Sequence, residues 1–251
     1  MEILKINNLT KVYSSYKGAK EVTALDGISF TVNKSEFVGI MGPSGSGKTT
    51  LLNILSGVDK STSGETIIDN QNISKLKKDN LALFRRKNIG YIFQDFNLLD
   101  SLDVKENISL PLILDKKCPD EIEKRVDNLM RFFNIENLGK KYPYNISGGQ
   151  KQRVAAARAL INDPKIIFAD EPTGNLDSKS ANTIMNTISK MNNEINSTVL
   201  MVTHDPFAAS FCKRIIFIKD GKVKMEITSD GDRKRFFDKI LEVQSVIGGE
   251  N

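Results

Sequence analysis

The sequence predicts an α/β fold built on a mostly parallel sheet, with an N-terminal antiparallel β element and an α-helical subdomain inserted in the core. Three observations predict it. The apolar run Phe37-Val38-Gly39-Ile40-Met41 reads as a short buried strand; it runs into Gly42-Pro43-Ser44-Gly45-Ser46-Gly47-Lys48-Thr49, and Thr50 to Leu55 then reads as the first turns of a helix. A second apolar run, Lys165 to Ala169, ends abruptly in Asp170 and Glu171, the pattern of a parallel strand buried on both faces. A third, Thr198 to Thr203, delivers His204, the only histidine of the chain.

With 251 residues and 39% hydrophobic content, the chain can bury a substantial core as one domain with an insertion. Lys plus Arg number 36 against 31 Asp plus Glu, a formal charge of +5. That excess is spread along the chain without a block of like charges, so it does not single out a nucleic-acid or anionic-membrane partner. Cys118 and Cys212 lie far apart, match no metal spacing and form no disulfide framework, which fits a reducing compartment. The opening Met-Glu-Ile-Leu-Lys lacks the sections of a signal peptide, and no apolar stretch approaches the ~20 residues of a membrane span. A membrane role is therefore expected through a partner or surface attachment.

In chain order, Ile3 to Tyr13 and Val22 to Val32 are strand-like, separated by a polar loop over 14–20. Tyr13 ends the first strand, where its ring would either stack on a nucleotide base or be an ordinary edge-strand tyrosine. Glu65 to Ile73 reads as another strand, Lys78 to Lys87 as a polar helix, and Ile89 to Phe93 as a buried strand ending in Gln94. Asp103 to Leu114 and Pro119 to Phe133 have helical spacing, with Ile122, Val126, Leu129, Met130 and Phe133 on one face. Asp177 is placed to cap a helix from Ser178 to Met191. Arg214 to Ile218 and Lys222 to Ile227 form a hairpin through Asp220-Gly221. In the tail, Phe236, Ile240, Val243 and Ile247 share a helical stripe; packing on the main domain is the plain expectation, and a docking or membrane-surface helix the alternative.

The chemistry concentrates at the strand ends. Gly42 to Thr49 fits G-x-x-x-x-G-K-[ST], the phosphate cradle of a P-loop NTPase core. Its glycines let consecutive amide N–H groups converge on one anion, and the following helix adds its positive end. Lys48 would reach the β and γ phosphates, and the Thr49 hydroxyl would bind magnesium. Burying Asp170 beside Glu171 is unfavourable without a cation or proton to relieve it. Asp170 facing a magnesium shell and Glu171 facing a water would relieve it and supply a general base; a solvated strand-end pair is the plain alternative. Gln94 and His204 would share the same carboxyl edge of the sheet. Ser147-Gly148-Gly149-Gln150 opens an Ala- and Arg-rich helix from Lys151 to Ile161 with an N-cap serine and two glycines. This is a second candidate phosphate site, and its economical use is on a nucleotide held by another copy.

With these residues the chain closely resembles the ATP-binding subunit of an ABC transporter over residues 2 to 228. In family terms Tyr13 matches the adenine-stacking A-loop, Gly42 to Thr49 (with Thr50 next to it) Walker A, and Gln94 the Q-loop. Ser147 to Gln150 matches the signature, Asp170 and Glu171 the end of Walker B, Asp177 the D-loop, and His204 the switch histidine. The stretch Ala169 to Asp177 is similar to the branch of macrolide exporters, lipoprotein-release ATPases and the cell-division ATPase. Phe93 to Leu99, Lys151 to Arg158 and the added tail are similar to bacitracin- and lantibiotic-resistance transporters.

The resemblance implies an ATPase domain over 1–228 with a helical subdomain at about 95–160, and a helical tail over 229–251. It implies ATP and magnesium as ligands, the metal held by Thr49, Gln94 and Asp170, and a homodimer in which the signature of one copy closes the site of the other. An integral membrane permease at the cytoplasmic face is the implied partner, with an associated sensor kinase in the antibiotic-resistance type and no nucleic acid. Two rival functions stay open: a module that transmits force through a membrane protein to a sensor or extracellular enzyme without transport, and a DNA-repair or translation ATPase. Against the latter stands the lack of a long coiled-coil insertion, a second cassette or a concentrated basic face.

Overall fold

The computed structural model describes residues 1–14 and 21–248. Of the polar loop expected over 14–20, all but Ser14 lies outside the described residues, as do 249–251 of the tail. The elements run β1 (Glu2–Tyr13), β2 (Val22–Asn33), β3 (Phe37–Met41), α1 (Lys48–Leu55), β4 (Ser63–Ile68), β5 (Gln71–Asn72), α2 (Lys78–Asn88), β6 (Ile89–Ile92) and α3 (Val104–Leu114). There follow α4 (Pro119–Phe132), α5 (Gly148–Leu160), β7 (Ile166–Asp170), α6 (Ser178–Glu194), β8 (Val199–Val202), α7 (Pro206–Ala209), β9 (Arg214–Lys219), β10 (Lys222–Thr228) and α8 (Arg233–Gly248).

Two sheets carry these elements. One has the order β2-β1-β4-β5 and is antiparallel throughout; the other has the order β10-β9-β3-β8-β7-β6 and is parallel except for β10 at its edge. The parallel strands are apolar along their whole length because both faces are covered. On one face Phe37, Met41, Ile167, Ala169, Val199 and Met201 meet residues of α3 to α8. On the other, Val38, Ile40, Ile166, Phe168, Leu200 and Val202 meet α1 and the antiparallel sheet. The two-residue period of a strand thus divides each apolar run between two layers. Phe236, Ile240 and Ile247 of α8 join the first layer, so the stripe of the tail helix packs against the central sheet's helical side.

Three expectations need correcting. The strand expected over Glu65 to Ile73 is interrupted: Asp69 and Asn70 take left-handed backbone (φ 47 and 64) and turn β4 back into β5, and Ile73–Lys75 forms a 3₁₀ turn. Consecutive Asp-Asn is suited to such a turn, since short polar side chains tolerate positive φ. Strand β1 is interior, with β4 on the side away from β2, but its pairing with β4 ends at Thr10, so Tyr13 itself is paired only with Val22. Strand β6 stops at Ile92, leaving Phe93 in the loop with Gln94.

That loop and β6 before it are bound tightly to α5. The backbones of β6 and α5 approach so closely at Gly90 that a Cβ there would strike the Ala159 carbonyl. Gln152 Nε2 donates to the Phe93 carbonyl at 3.3 Å, and the Arg158 guanidinium donates to the carbonyls of Phe96 (2.9 Å) and Asn97 (2.6 Å).

Candidate active site

Strands β3, β7 and β8 end side by side, and the residues that follow them line a single cavity of about 620 Å³. Its lining includes Gly42 to Gly45, Gly47 to Thr50, Glu171 and His204, together with Val22, Thr23 and Ala24 of β2 and Gln244 of α8. Ser46 is buried under the loop, where its carbonyl accepts from the Gly221 amide at 3.2 Å. Two glycines are required here for different reasons. Gly47 caps α1 with φ 97, a left-handed conformation unfavourable for other residues, whereas Gly42 needs space, since a Cβ would overlap the Ile218 carbonyl. The outcome is a helix N-terminus whose free amides face the cavity, an anion site by construction.

Lys48 is buried and donates to the carbonyls of Gly42 and Pro43, both at 2.8 Å. Burial pulls its ammonium below the usual lysine range, and the nearby charges of Glu171 and Asp170 work against that pull. Burial, then the charge of Glu171, pushes the Asp170 carboxyl up; a hydrogen bond from Tyr91 and the charge of Lys48 oppose the rise. Glu171 sits in left-handed backbone (φ 43), held by its amide's bond to Val202 (2.9 Å) and by its carbonyl, which accepts from Gly174 (3.0 Å). Strain of this kind persists where surrounding structure fixes it, and it concentrates at functional sites. The Glu171 carboxylate lies 2.6 Å from Nδ1 of the exposed His204. Phosphate-binding amides, a buried cation, a strained carboxylate and a histidine therefore converge on one space.

Other expected site residues lie elsewhere. Gln94 does not line the cavity; its amide lies against Gly174, and its carbonyl accepts from Asn175 at 3.3 Å. Ser147 is exposed at the N-terminus of α5, where it forms a capping box: its amide donates to Gln150 Oε1 at 2.9 Å, and its Oγ accepts from the Gln150 amide at 3.4 Å. Gly148 neighbours Phe96 and Leu176, and Gly149 packs on Ser180, so this segment belongs with the Gln94 loop and the start of α6. Asp177 caps α6 as expected, accepting from the Ser180 hydroxyl (2.7 Å) and from the amides of Ser180 and Lys179 (both 3.0 Å); these bonds, the Ser180 hydroxyl's foremost, hold its carboxyl below the usual range. Tyr13 donates from its hydroxyl to Asp59 at 2.9 Å and carries Lys11 over its ring at 4.6 Å; its cross-strand partner Val22 lines the cavity. Gln244 was not foreseen. A lone glutamine in an amphipathic tail carries no motif, and only the packing of α8 brings it here.

The state of Asp170 has a measurable consequence. A carboxyl held above its ordinary value binds its proton more readily in the folded than in the unfolded chain. Stability is therefore lost as pH rises past the ordinary aspartate range, and the full loss is present above the folded value. Asp170→Asn removes that penalty: without nucleotide and magnesium, the melting temperature at pH 7 is expected to rise by a few degrees, with the gain shrinking toward pH 4. Thermal melts across that range check it.

Residues 25–174 match the family described as ABC transporter. The ABC transporter ATP-binding protein YvcR of Bacillus subtilis is 53% identical over 250 residues, covering 100% of this chain and 96% of that protein. The bacitracin export ATP-binding protein BceA of Halalkalibacterium halodurans is 50% identical, covering 99% of this chain and 98% of its own length. Among solved structures, a dimeric post-hydrolysis state of the ATP-binding cassette MJ0796 of Methanocaldococcus jannaschii, bound to ADP and Pi, superposes with a TM-score of 0.83 at 43% identity, covering 92% of this chain and all of that one. A family match across more than half of the sequence, on a fold shared with such relatives, places the chain among the ATP-binding subunits of ABC transporters, and it is an ATPase.

Proposed function

We propose that the chain acts as a head-to-tail homodimer closed by ATP, drives an integral membrane permease from the cytoplasmic face, and serves resistance to, or export of, antimicrobial peptides of the bacitracin or lantibiotic kind. One observation carries the shared site. Ser147 is exposed at a capped helix N-terminus, followed by the half-buried Gly148 and the buried Gly149, and none of the residues from Ser147 to Gln150 lines the phosphate cavity of their own chain. A nucleotide on a second copy gives that terminus its use, and the dimeric form of the MJ0796 cassette supports the arrangement. Similarity to the bacitracin exporter along nearly the whole chain supports the peptide reading.

Within each site, Lys48 and the amides from Gly42 to Thr50 hold the phosphates, and Tyr13 borders the adenine end. Glu171 accepts a proton from, and orients, the attacking water; His204, fixed beside it, holds the γ-phosphate and registers its loss. The donor set suits magnesium. Thr49 offers its hydroxyl in the cavity, and Asp170, at the strand end just before Glu171, offers a carboxyl; these few oxygen donors would leave room for the waters and substrate phosphates that magnesium prefers, and Gln94, outside the cavity here, would add its amide oxygen only on moving toward it. Magnesium would supply charge neutralisation at the transferring phosphoryl group. No helix among the described residues is long and apolar enough to cross a membrane, so the permease supplies the attachment in this reading.

The test is made in the native host, with the permease in place. Loss of the chain is expected to lower bacitracin tolerance several-fold, restored by the wild-type gene and not by an inactive Lys48→Ala variant. Unchanged tolerance, with ATP turnover of the purified complex intact, would move the function to lipoprotein release or to force transmission toward a sensor kinase or extracellular enzyme.

A further inference from the structure

Helix α8 is fixed at both ends against segments that adjoin the phosphate cavity. At its start the Arg233 guanidinium stands 4.4 Å over the Phe211 ring and 5.8 Å over Phe207, on the segment that follows His204. At its end the buried Lys219 ammonium donates to the Ile247 carbonyl at 2.9 Å. Lys219 follows Ile218, whose carbonyl fills the space beside Gly42, so the last turn of α8 is held close to the first residues of the phosphate loop.

Gln244 stands beside that turn. Helical periodicity puts it within about 60° of both Ile240 and Ile247, the residues α8 buries in the core, but Gln244 itself is exposed, at the edge of that stripe. Its side chain is therefore free to meet a ligand. Gln244 lines the phosphate cavity together with Gly42, Lys48, Glu171 and His204. It brings two N–H donors and no charge.

We propose that Gln244 is a nucleotide-contacting residue, donating its side-chain amide to a phosphate oxygen of the nucleotide held by the same chain, so that the tail helix completes the phosphate site. This rests on reading the cavity as the nucleotide site. Lys48 already supplies a buried cation there, and a neutral donor adds a contact without a second buried charge. It also ties α8 to substrate: the helix that grips the segment after His204 at one end meets the phosphates near the other.

The experiment uses the full chain, with equilibrium binding of a fluorescent ATP analogue and steady-state hydrolysis. Gln244→Ala is expected to raise Kd and KM about three- to tenfold, the loss of one hydrogen bond to a charged group, with kcat within about twofold. Gln244→Glu is expected to weaken binding further, by tenfold or more at low salt and less at high salt, through repulsion of the phosphates. Val246→Glu adds the same charge on the opposite side of the helix, at a residue 60% exposed, and is expected to leave binding unchanged. Thermal melts confirm that all three variants fold. Wild-type affinity in both Gln244 variants would overturn the contact, as would Val246→Glu weakening binding as much as Gln244→Glu. Failure of the wild-type chain itself to bind nucleotide would instead overturn the underlying reading of the cavity.

Discussion

Glu171→Gln is expected to lower ATP turnover by about a thousandfold, within the range spanned by loss of a general base, while leaving nucleotide binding intact and stabilising an ATP-bound dimer. The substitution keeps the shape and volume of the side chain. The amide bond to Val202 and the left-handed turn at Glu171 place the side chain through the backbone and are unaffected. What is lost is the ability to take a proton. A negative charge beside Asp170 is lost too, which relieves part of the repulsion that pushes the Asp170 carboxyl up and lessens repulsion toward a triphosphate. The variant should therefore collect as the closed dimer, read by size-exclusion chromatography with and without ATP. Turnover close to wild type would remove Glu171 from the mechanism.

The second large effect lies outside the cavity, at the N-terminus of α5. Ser147→Arg is expected to cut hydrolysis by about a hundredfold and to abolish the ATP-dependent dimer, leaving nucleotide affinity of the monomer within about twofold. Ser147 is exposed and outside its own chain's cavity, so the substitution cannot obstruct binding there. It does remove the cap of α5, a loss of about 1 kcal/mol that shows as a modest drop in melting temperature. Ser147→Ala carries the same cap loss without the bulk and charge, and separates the two effects. Equal loss of monomer binding in Ser147→Arg would argue against a site shared between copies.

The strands and the cavity's main residues were legible because their signals are local. Phe37 to Met41, Ile166 to Asp170 and Val199 to Val202 are short apolar runs that end in chemistry-bearing residues, and a parallel sheet brings such ends together whatever the details of packing. The separation of Ser147 from the phosphate loop was legible as well, since one nucleotide seldom needs two helix termini. What escaped depends on contacts between distant segments. The turn at Asp69-Asn70 divides a run that alternates like a single strand, and β4 joins the N-terminal sheet by pairing with β1. Arg214 binds Glu36 (2.7 Å), Glu226 (2.7 Å) and the Thr31 carbonyl (2.6 Å), tying β9 to β2 and its neighbours through residues no spacing connects. Tyr13 showed its aromatic ring in the sequence but not its bond to Asp59. Gln244 reached the cavity only because α8 folds back across the domain.

The contact of α5 with β6 and the loop after it makes them a lever. Gly90 lets the backbones of β6 and α5 meet without a cushioning side chain, and Gln152 and Arg158 fasten the helix to the carbonyls of Phe93, Phe96 and Asn97. Close-packed interiors are stiff, so a displacement of that loop is passed along the helix with little absorbed in between. Phe96 of the same loop also neighbours Gly148, so in the proposed dimer a displacement at Gln94 would reach the helix terminus beside Ser147 both directly and through the helix.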